Sequence, residues 1–403
     1  MTVRNPIQNI SHKVWHVVGP MNQGGAEVMV MELLRHKSPD TQIDFLVHHR
    51  DGYEAGSAAF DHEILARGAQ LLTIKTPVQS GLASYFRSFK QRVRQYGRPD
   101  VIHIHLNARS GLVVLAARLN GIKRIIVHSH AALTFRGSLG YRIFAQAELQ
   151  LSKLIFAALA TDFWGCSHEA IDSLFTRWLS RGQPRVVINN AIDVDSYKAI
   201  TPAIIAAIRP ELTGNRSGLL IGTVGRIVRH KNAGFLIDVL DALRQRDILA
   251  TAVIVGREQD SAYCNELRAA ADAAGLSDAL RFVGPRDDIP AVMAALDVFV
   301  SPALREGFGL VGAEAQAAGT PCVLSTGFPT PIDMGLGLVQ FVDGFDAEIW
   351  AEAILSARKI TRPTFEAIAQ SFTEKGFSAR ENTARIERAW RNPGTFPTAG
   401  EAA

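Results

Sequence analysis

Asp297-Val-Phe-Val-Ser301, then Arg305-Glu306-Gly307-Phe308-Gly309-Leu310-Val311-Gly312-Ala313-Glu314-Ala315-Gln316-Ala317-Ala318-Gly319-Thr320-Pro321, then Cys322-Val-Leu-Ser325, is the stretch that decides the fold. A short run of β-branched and aromatic residues enters a glycine-rich turn. An alanine-rich segment of helical length follows, and a second short apolar run leaves. Strand, loop, helix and strand in that order build a parallel sheet. The turn also offers backbone N–H groups and a helix N-terminus to a phosphate. Two carboxylates, Glu306 and Glu314, stand either side of it. A carboxylate accepts hydrogen bonds from vicinal hydroxyls, as on a ribose or a hexose.

The same stretch contains Gly307-Phe-Gly309-Leu-Val-Gly312, which fits the G-x-G-x-x-G dinucleotide fingerprint. That fingerprint wants an acidic residue about 20 positions on, at the end of the next strand. Here the next strand ends at Ser325-Thr326-Gly327, with no acid. The spacing therefore argues against a nicotinamide cofactor.

Short apolar runs alternate with amphipathic segments along the whole chain. Lys13–Val18, Asp44–His48, Gln70–Ile74, Val101–His105, Arg124–His128, Asp162–Cys166 and Arg185–Ile188 read as strands of a first half. Ala26–Arg35 and Leu82–Tyr96 read as helices there. The rhythm restarts with strands Leu219–Val224, Ala252–Val255, Leu280–Val283 and Gly337–Val342 around the opening stretch. Helices Asn232–Gln245, Ser261–Ala274 and Ile289–Leu296 lie between them. The pattern predicts an α/β protein of two doubly wound parallel-sheet domains, as the length of 403 residues also suggests. The expected limits are an N-terminal domain at 1–195 and a C-terminal domain at 196–375. Residues 376–403 should hold a C-terminal helix, which could cross back to the first domain, and a disordered tail from Asn392. Lys198–Gly218, with Pro202, Pro210 and Gly214, reads as the connection.

Composition narrows the class. A hydrophobic content of 47% and a charged content of 20% suit a globular protein with large cores. Cys166, Cys264 and Cys322 are far apart, which predicts reduced thiols in the cytosol. Met1–Ser11 carries no signal-peptide pattern, and no apolar run reaches membrane-spanning length. The net charge of +4 is unevenly spread. Residues 1–200 carry 23 basic against 15 acidic residues, or +8, and residues 201–403 carry 20 against 24, or −4. On charge count alone the basic first half reads first as solvated surface; it also suits an anionic partner, and the basic helix 82–96 could lie against anionic lipid, although its apolar face could equally be core.

Further constellations carry chemistry. Arg226 and Lys231 straddle a turn at the carboxyl end of strand 219–224, where a guanidinium fork and an ammonium suit a diphosphate. Gly24-Gly25 opens a helix after the first strand, where a ligand can approach the backbone. His103 and His105, and again His128 and His130, alternate along extended strands, so each pair shares one face. Hydrogen bonding to a substrate or proton transfer suits them better than a metal. Asp193-Val-Asp195 could bind a divalent cation, but its place at a turn between domains reads as structural.

In order along the chain, Gly24-Gly25-Ala26-Glu27, Asp100-Val-Ile-His-Ile-His105, His128-Ser-His130, Asn190-Ala-Ile-Asp193, Gly225–Asn232, Val283–Ile289 and Glu306–Pro321 resemble the GT-B glycosyltransferases of the retaining family 4. The likeness covers roughly residues 13–375 and is similar to the branch that makes exopolysaccharide, capsule or O-antigen. Ala191 departs from it, standing where glycine is usual. The resemblance implies two Rossmann-like domains facing across a cleft. It implies a catalytic set of Arg226, Lys231, Glu306 and His130, with the two cations on the donor's diphosphate, Glu306 on the transferred sugar and His130 facing that sugar. Substrate binding would fall to Gly24, Gly25, His128, Val283, Arg286, Phe308, Gly309, Leu310 and Glu314, with Glu314 on the ribose hydroxyls. Which of His128 and His130 meets the sugar stays open. The implied reaction is transfer, with retention, from a nucleotide-diphosphate sugar such as a UDP-sugar to a saccharide or lipid-linked saccharide in polysaccharide biosynthesis. No metal, no cofactor and no nucleic acid is implied, and the expected place is cytoplasmic, peripheral on the inner membrane face. A nucleotide-sugar 2-epimerase, a pyridoxal-phosphate phosphorylase and a non-catalytic nucleotide-sugar-binding protein are the alternatives.

Overall fold

The computed structural model describes residues 11–392 except 23, 132, 134–136 and 177–181. The readings made of the first ten residues and of the tail beyond Asn392 fall outside that set. The chain divides into two compact units, Met1–Ala191 with Ala379–Ala403, and Ile192–Ser378. The C-terminal helix Ala379–Arg391 thus belongs to the first unit.

Unit 1 is a seven-stranded sheet in the order β3-β2-β1-β4-β5-β6-β7. Its strands are β1 (His12–Val18), β2 (Thr41–His49), β3 (Leu71–Lys75), β4 (Val101–Ile104), β5 (Arg124–Ser129), β6 (Asp162–Gly165) and β7 (Arg185–Val187), all paired in parallel. The strands read as continuous apolar runs because helices cover both faces. Trp15, Val17, Ile102, Ile104 and Val127 pack against helices 82–96, 111–119 and 139–159. Val14, Val18, Ile126 and Trp164 meet helices 25–36 and 379–391 on the other side, where Trp390 is 1% exposed. In helix 82–96, Tyr85 and Phe89 are turned into the core, so its apolar face is structural.

Unit 2 is a six-stranded parallel sheet in the order β10-β9-β8-β11-β12-β13. Its strands are β8 (Leu219–Val224), β9 (Ala250–Val255), β10 (Leu280–Gly284), β11 (Val298–Ser301), β12 (Cys322–Ser325) and β13 (Val339–Val342). Helices 235–245, 261–273 and 347–357 cover one face, and helices 202–213, 289–295, 310–317 and 365–374 the other. The sheet reverses its winding between β8 and β11, which opens a crevice at the carboxyl ends of those two strands.

Two sequence expectations need correction. The segment read as a connection contains the helix Pro202–Thr213. Pro202 stands at its first turn, where no N–H is needed, and the Thr201 side chain accepts from Ile204 N–H. Leu212 is fully buried against unit 2, and Arg209 grips the Asp297 carboxylate through two bonds of 3.0 and 2.6 Å. The helix expected from Asn232 starts at Phe235 instead, because Asn232 is left-handed (φ 54°) and ends a 3₁₀ turn over Arg229–Lys231.

Candidate active site

The loops after β8 and β11 line the crevice of unit 2. Gly225 N–H donates to Val255 O at 2.8 Å and Ile227 N–H to Arg257 O at 2.9 Å, which fixes the start of the first loop. The close approach needs Gly256, where a Cβ would stand 2.0 Å from Gly225 O. Leu304 N–H donates to His230 O at 2.9 Å and joins the two loops. Their side chains meet as well. Lys231 Nζ and Glu306 form a hydrogen-bonded ion pair, with side chains only 20% and 10% exposed. The sequence places both residues in the site but does not reveal that they pair. Arg226 is exposed and donates to Gln259 Oε1 at 2.9 Å, a neutral partner, and among the described residues it makes no ion pair.

Gly309 caps the following helix Leu310–Ala317 in the left-handed region (φ 79°, ψ 52°). A Cβ there would lie 2.3 Å from the Phe328 ring, so both conformation and space demand glycine. Among the described residues, no carbonyl accepts from the N–H groups of Phe308, Gly309 and Leu310. They are the open donors of a helix N-terminus, suited to a phosphate oxygen.

Glu314 lies one turn further along that helix. Burial pushes its carboxyl up to about 7. A carboxyl so poorly hydrated gains most from hydroxyl donors brought by a ligand. Val283 ends β10. The Arg286 side chain is committed elsewhere, in a two-bond pair with Asp288 (2.7 and 2.8 Å) and a further bond to Glu211. Any ligand contact at Arg286 therefore falls to its backbone. Asp193 and Asp195 stand in a turn, where Ser196 Oγ donates to Asp193 O at 2.7 Å and Asp195 opens a short helix.

In unit 1 the winding reverses between β1 and β4. Gly24 is the N-cap of helix Gly25–His36, and a Cβ on Gly25 would meet nothing within 4 Å. Beside this loop, at the carboxyl ends of β1, β4 and β5, lie five histidines. His16 Nδ1 and His105 Nε2 are 2.8 Å apart, His105 Nδ1 and His130 Nε2 2.7 Å, and His103 Nε2 and His128 Nδ1 3.1 Å. His128 is fully buried, which leaves no surface for a substrate, whereas His130 follows the strand end and is partly exposed. Burial holds all five rings neutral. It lowers His16 to about 3 and His130 to about 4, and holds His103, His105 and His128 well below the usual value. Nitrogens of His16, His103 and His105, and of His105, His128 and His130, lie within 4.8 Å of one another. In three of the pairs an N–H of one ring meets the bare nitrogen of the next, so those nitrogens are engaged with each other and not aimed at a shared cation. The sequence reading missed His16. Its alternation with Val14 and Val18 in β1 could have placed it on the histidine face, but the neighbour order β1-β4-β5 is not visible in sequence.

Residues 23–196 match the glycosyltransferase family 4 profile, and residues 218–359 match the glycosyl transferases group 1 profile. EpsF of Bacillus subtilis (strain 168), named as a glycosyltransferase, is 30% identical over 378 residues, 93% of this chain and 95% of EpsF. The chain belongs to glycosyltransferase family 4. This family 4 glycosyltransferase has the two Rossmann-like domains of the GT-B class. A UDP-Gal:alpha-D-GlcNAc-diphosphoundecaprenol alpha-1,3-galactosyltransferase of Escherichia coli is 28% identical over 234 residues, 56% of this chain and 57% of that one. The crystal structure of Anabaena Alr3699/HepE in complex with UDP aligns with a TM-score of 0.72 at 20% identity, covering 94% of this chain and 99% of that one. The same protein in complex with UDP-glucose aligns with a TM-score of 0.69 at 21% identity, again over 94% and 99%.

Proposed function

We propose that this glycosyltransferase uses a UDP-sugar, retains the anomeric configuration, and extends a lipid-diphosphate-linked saccharide in polysaccharide biosynthesis. The Lys231–Glu306 pair at the β8/β11 crevice carries the reading. Lys231 meets the diphosphate as the glycosidic bond breaks and negative charge collects on the leaving oxygens. Arg226 adds a second fixed cation. The N–H groups of Phe308, Gly309 and Leu310 receive a phosphate oxygen, Glu314 accepts from the ribose, and Glu306, released from Lys231, accepts from the sugar. The choice of uridine is supported by the UDP-bound fold relative, and the lipid-linked acceptor by the galactosyltransferase relative. Calorimetry with UDP-, GDP-, ADP- and dTDP-sugars tests the donor. Tight binding of UDP-sugars alone is expected, and equal indifference to all four would end the reading.

Peripheral contact with an anionic membrane belongs to the same proposal. Among the described residues no helix is long and apolar enough to cross a membrane. Helix Leu139–Leu159, however, is apolar on two sides. Ala145, Leu149, Ser152 and Phe156 face the core of unit 1. Leu139, Ile143, Phe144, Leu151 and Leu154, on the opposite arc, are 55–70% exposed. Arg142 and Lys153 flank that arc, as on helices that lie in a lipid interface. The protein should co-sediment with vesicles containing anionic lipid, and Ile143→Glu/Phe144→Glu should abolish this. Unchanged sedimentation of that variant, or self-association without lipid binding, would contradict it.

A further inference from the structure

Gln316 is fully buried on helix Leu310–Ala317, in the apolar cluster that holds Leu324, Phe328, Ile332 and Phe372. An apolar side chain would suit such a place, and a buried amide is costly unless its polar atoms are bonded. Here they are. Nε2 donates to Gly312 O at 3.0 Å and to Ile332 O at 2.9 Å, and Oε1 accepts from Met334 N–H at 2.8 Å. Two carbonyls and one N–H around the amide fix which end carries the nitrogen. The side chain thereby ties its helix to residues 332–334 of the loop between β12 and β13.

The other end of that loop reaches the phosphate-binding turn. Gly327 O accepts from Glu306 N–H at 2.9 Å. A Cβ on Gly327 would stand 2.4 Å from Ala303 O, so the two backbones touch. One residue on, the Phe328 ring fills the space beside Gly309 and Gly312. Ile332 stands against Gly312 as well, where a Cβ would meet its side chain at 3.2 Å. Residues 327–334 therefore touch the turn at Glu306 and at Gly309, on either side of Phe308. Apolar contacts are non-directional, and Phe328 and Ile332 alone do not select one arrangement of the loop. The three directional bonds of Gln316 do.

We propose that Gln316 is a positioning residue for the donor's diphosphate. It fixes the loop 327–334, the loop fixes Glu306 and Gly309, and these set the aim of the N–H groups of Phe308, Gly309 and Leu310. The phosphate at those groups rests on the proposed function. The bracing of the turn does not, since every bond in it lies within unit 2.

Gln316→Met keeps the length and the apolar stem and removes all three bonds. Full-length protein labelled with ¹⁵N-glutamate gives the Glu306 amide signal, assigned by Glu306→Gln, and its exchange with solvent reports the bond to Gly327. Exchange should be about tenfold faster, or more, in Gln316→Met. UDP should bind about tenfold more weakly by calorimetry, the size of one lost hydrogen bond. With donor and acceptor, donor KM should rise about tenfold while acceptor KM stays within about twofold. A merely structural role would lower the unfolding temperature and leave both Glu306 exchange and donor affinity where they are. UDP affinity within about twofold of the parent, or a weakened affinity with Glu306 exchange unchanged, overturns the proposal. If Gln316→Met does not fold, Phe328→Leu decides, because it keeps the Gln316 bonds and takes the ring off Gly309. The same loss of UDP affinity then supports the proposal, and an unchanged affinity overturns it. If the parent protein binds no UDP, the proposed function fails, and Glu306 exchange alone decides whether Gln316 braces the turn.

Discussion

Replacing Glu314 with Gln should trade donor binding for stability, and the structure sets the size of both effects. Burial raises this carboxyl to about 7, against 4.5 in an unstructured chain. Between those values the folded protein keeps a proton that the unfolded chain has released. Stability conferred by that proton is therefore complete below 4.5, is lost as pH rises, and is gone above 7. The shift of 7 − 4.5 units is worth about 3 kcal/mol at about 1.4 kcal/mol per unit. Gln keeps the shape and cannot ionise. Glu314→Gln should thus be more stable than the parent by up to about 3 kcal/mol at pH 8, and by less than about 1 kcal/mol at pH 5. It also loses charge-assisted acceptance from a ribose, worth about 1.5–3 kcal/mol, so UDP should bind roughly 10- to 100-fold more weakly. Urea titrations at both pH values and calorimetry of UDP binding supply the readouts. A stability difference that does not depend on pH, or a variant less stable at pH 8, would refute the reasoning.

Three further outcomes follow from the same geometry. Lys231→Ala should raise the barrier by about 2–4 kcal/mol, seen as a loss in kcat at saturating donor. Gly309→Ala should cost more than about 1 kcal/mol in thermal unfolding, because the left-handed backbone and the Phe328 ring both oppose a Cβ. Unit 1 should lose stability as pH falls below 6.5, where the unfolded chain protonates histidines that the folded rows keep neutral. The slope is at most about 1.4 kcal/mol per pH unit for each histidine, and calorimetry showing a flat unit 1 transition between pH 6.5 and 4.5 would count against the buried rows.

The local elements of both sheets were legible because parallel strands covered on two faces read as unbroken apolar runs, and Gly or Asp punctuates their ends. Glu306, Gly309, Glu314, Arg226 and Lys231 were legible because each follows such a run at short range. What failed depends on partners distant in sequence. Helix 202–213 was misread as a linker because Pro202 and Pro210 look like breakers, whereas Leu212 and the Arg209–Asp297 pair hold it to unit 2. The ion pair between Lys231 and Glu306 joins residues on two loops brought together only by the pairing of β8 with β11. The histidine rows depend on β1, β4 and β5 being neighbours, which skips β2 and β3 in the sequence and hides His16 from any local reading. Helix 139–159 was not singled out in the sequence, and its second apolar arc shows only in the burial pattern.

The central claim is that the β8/β11 crevice binds the diphosphate of a nucleotide sugar through Lys231. Calorimetric titration of UDP into the parent protein and into Lys231→Ala, at equal pH and salt, tests it most directly. Binding to the parent, weakened at least tenfold in the variant, is the predicted result. Equal affinity in the two proteins would place the diphosphate elsewhere and contradict the account.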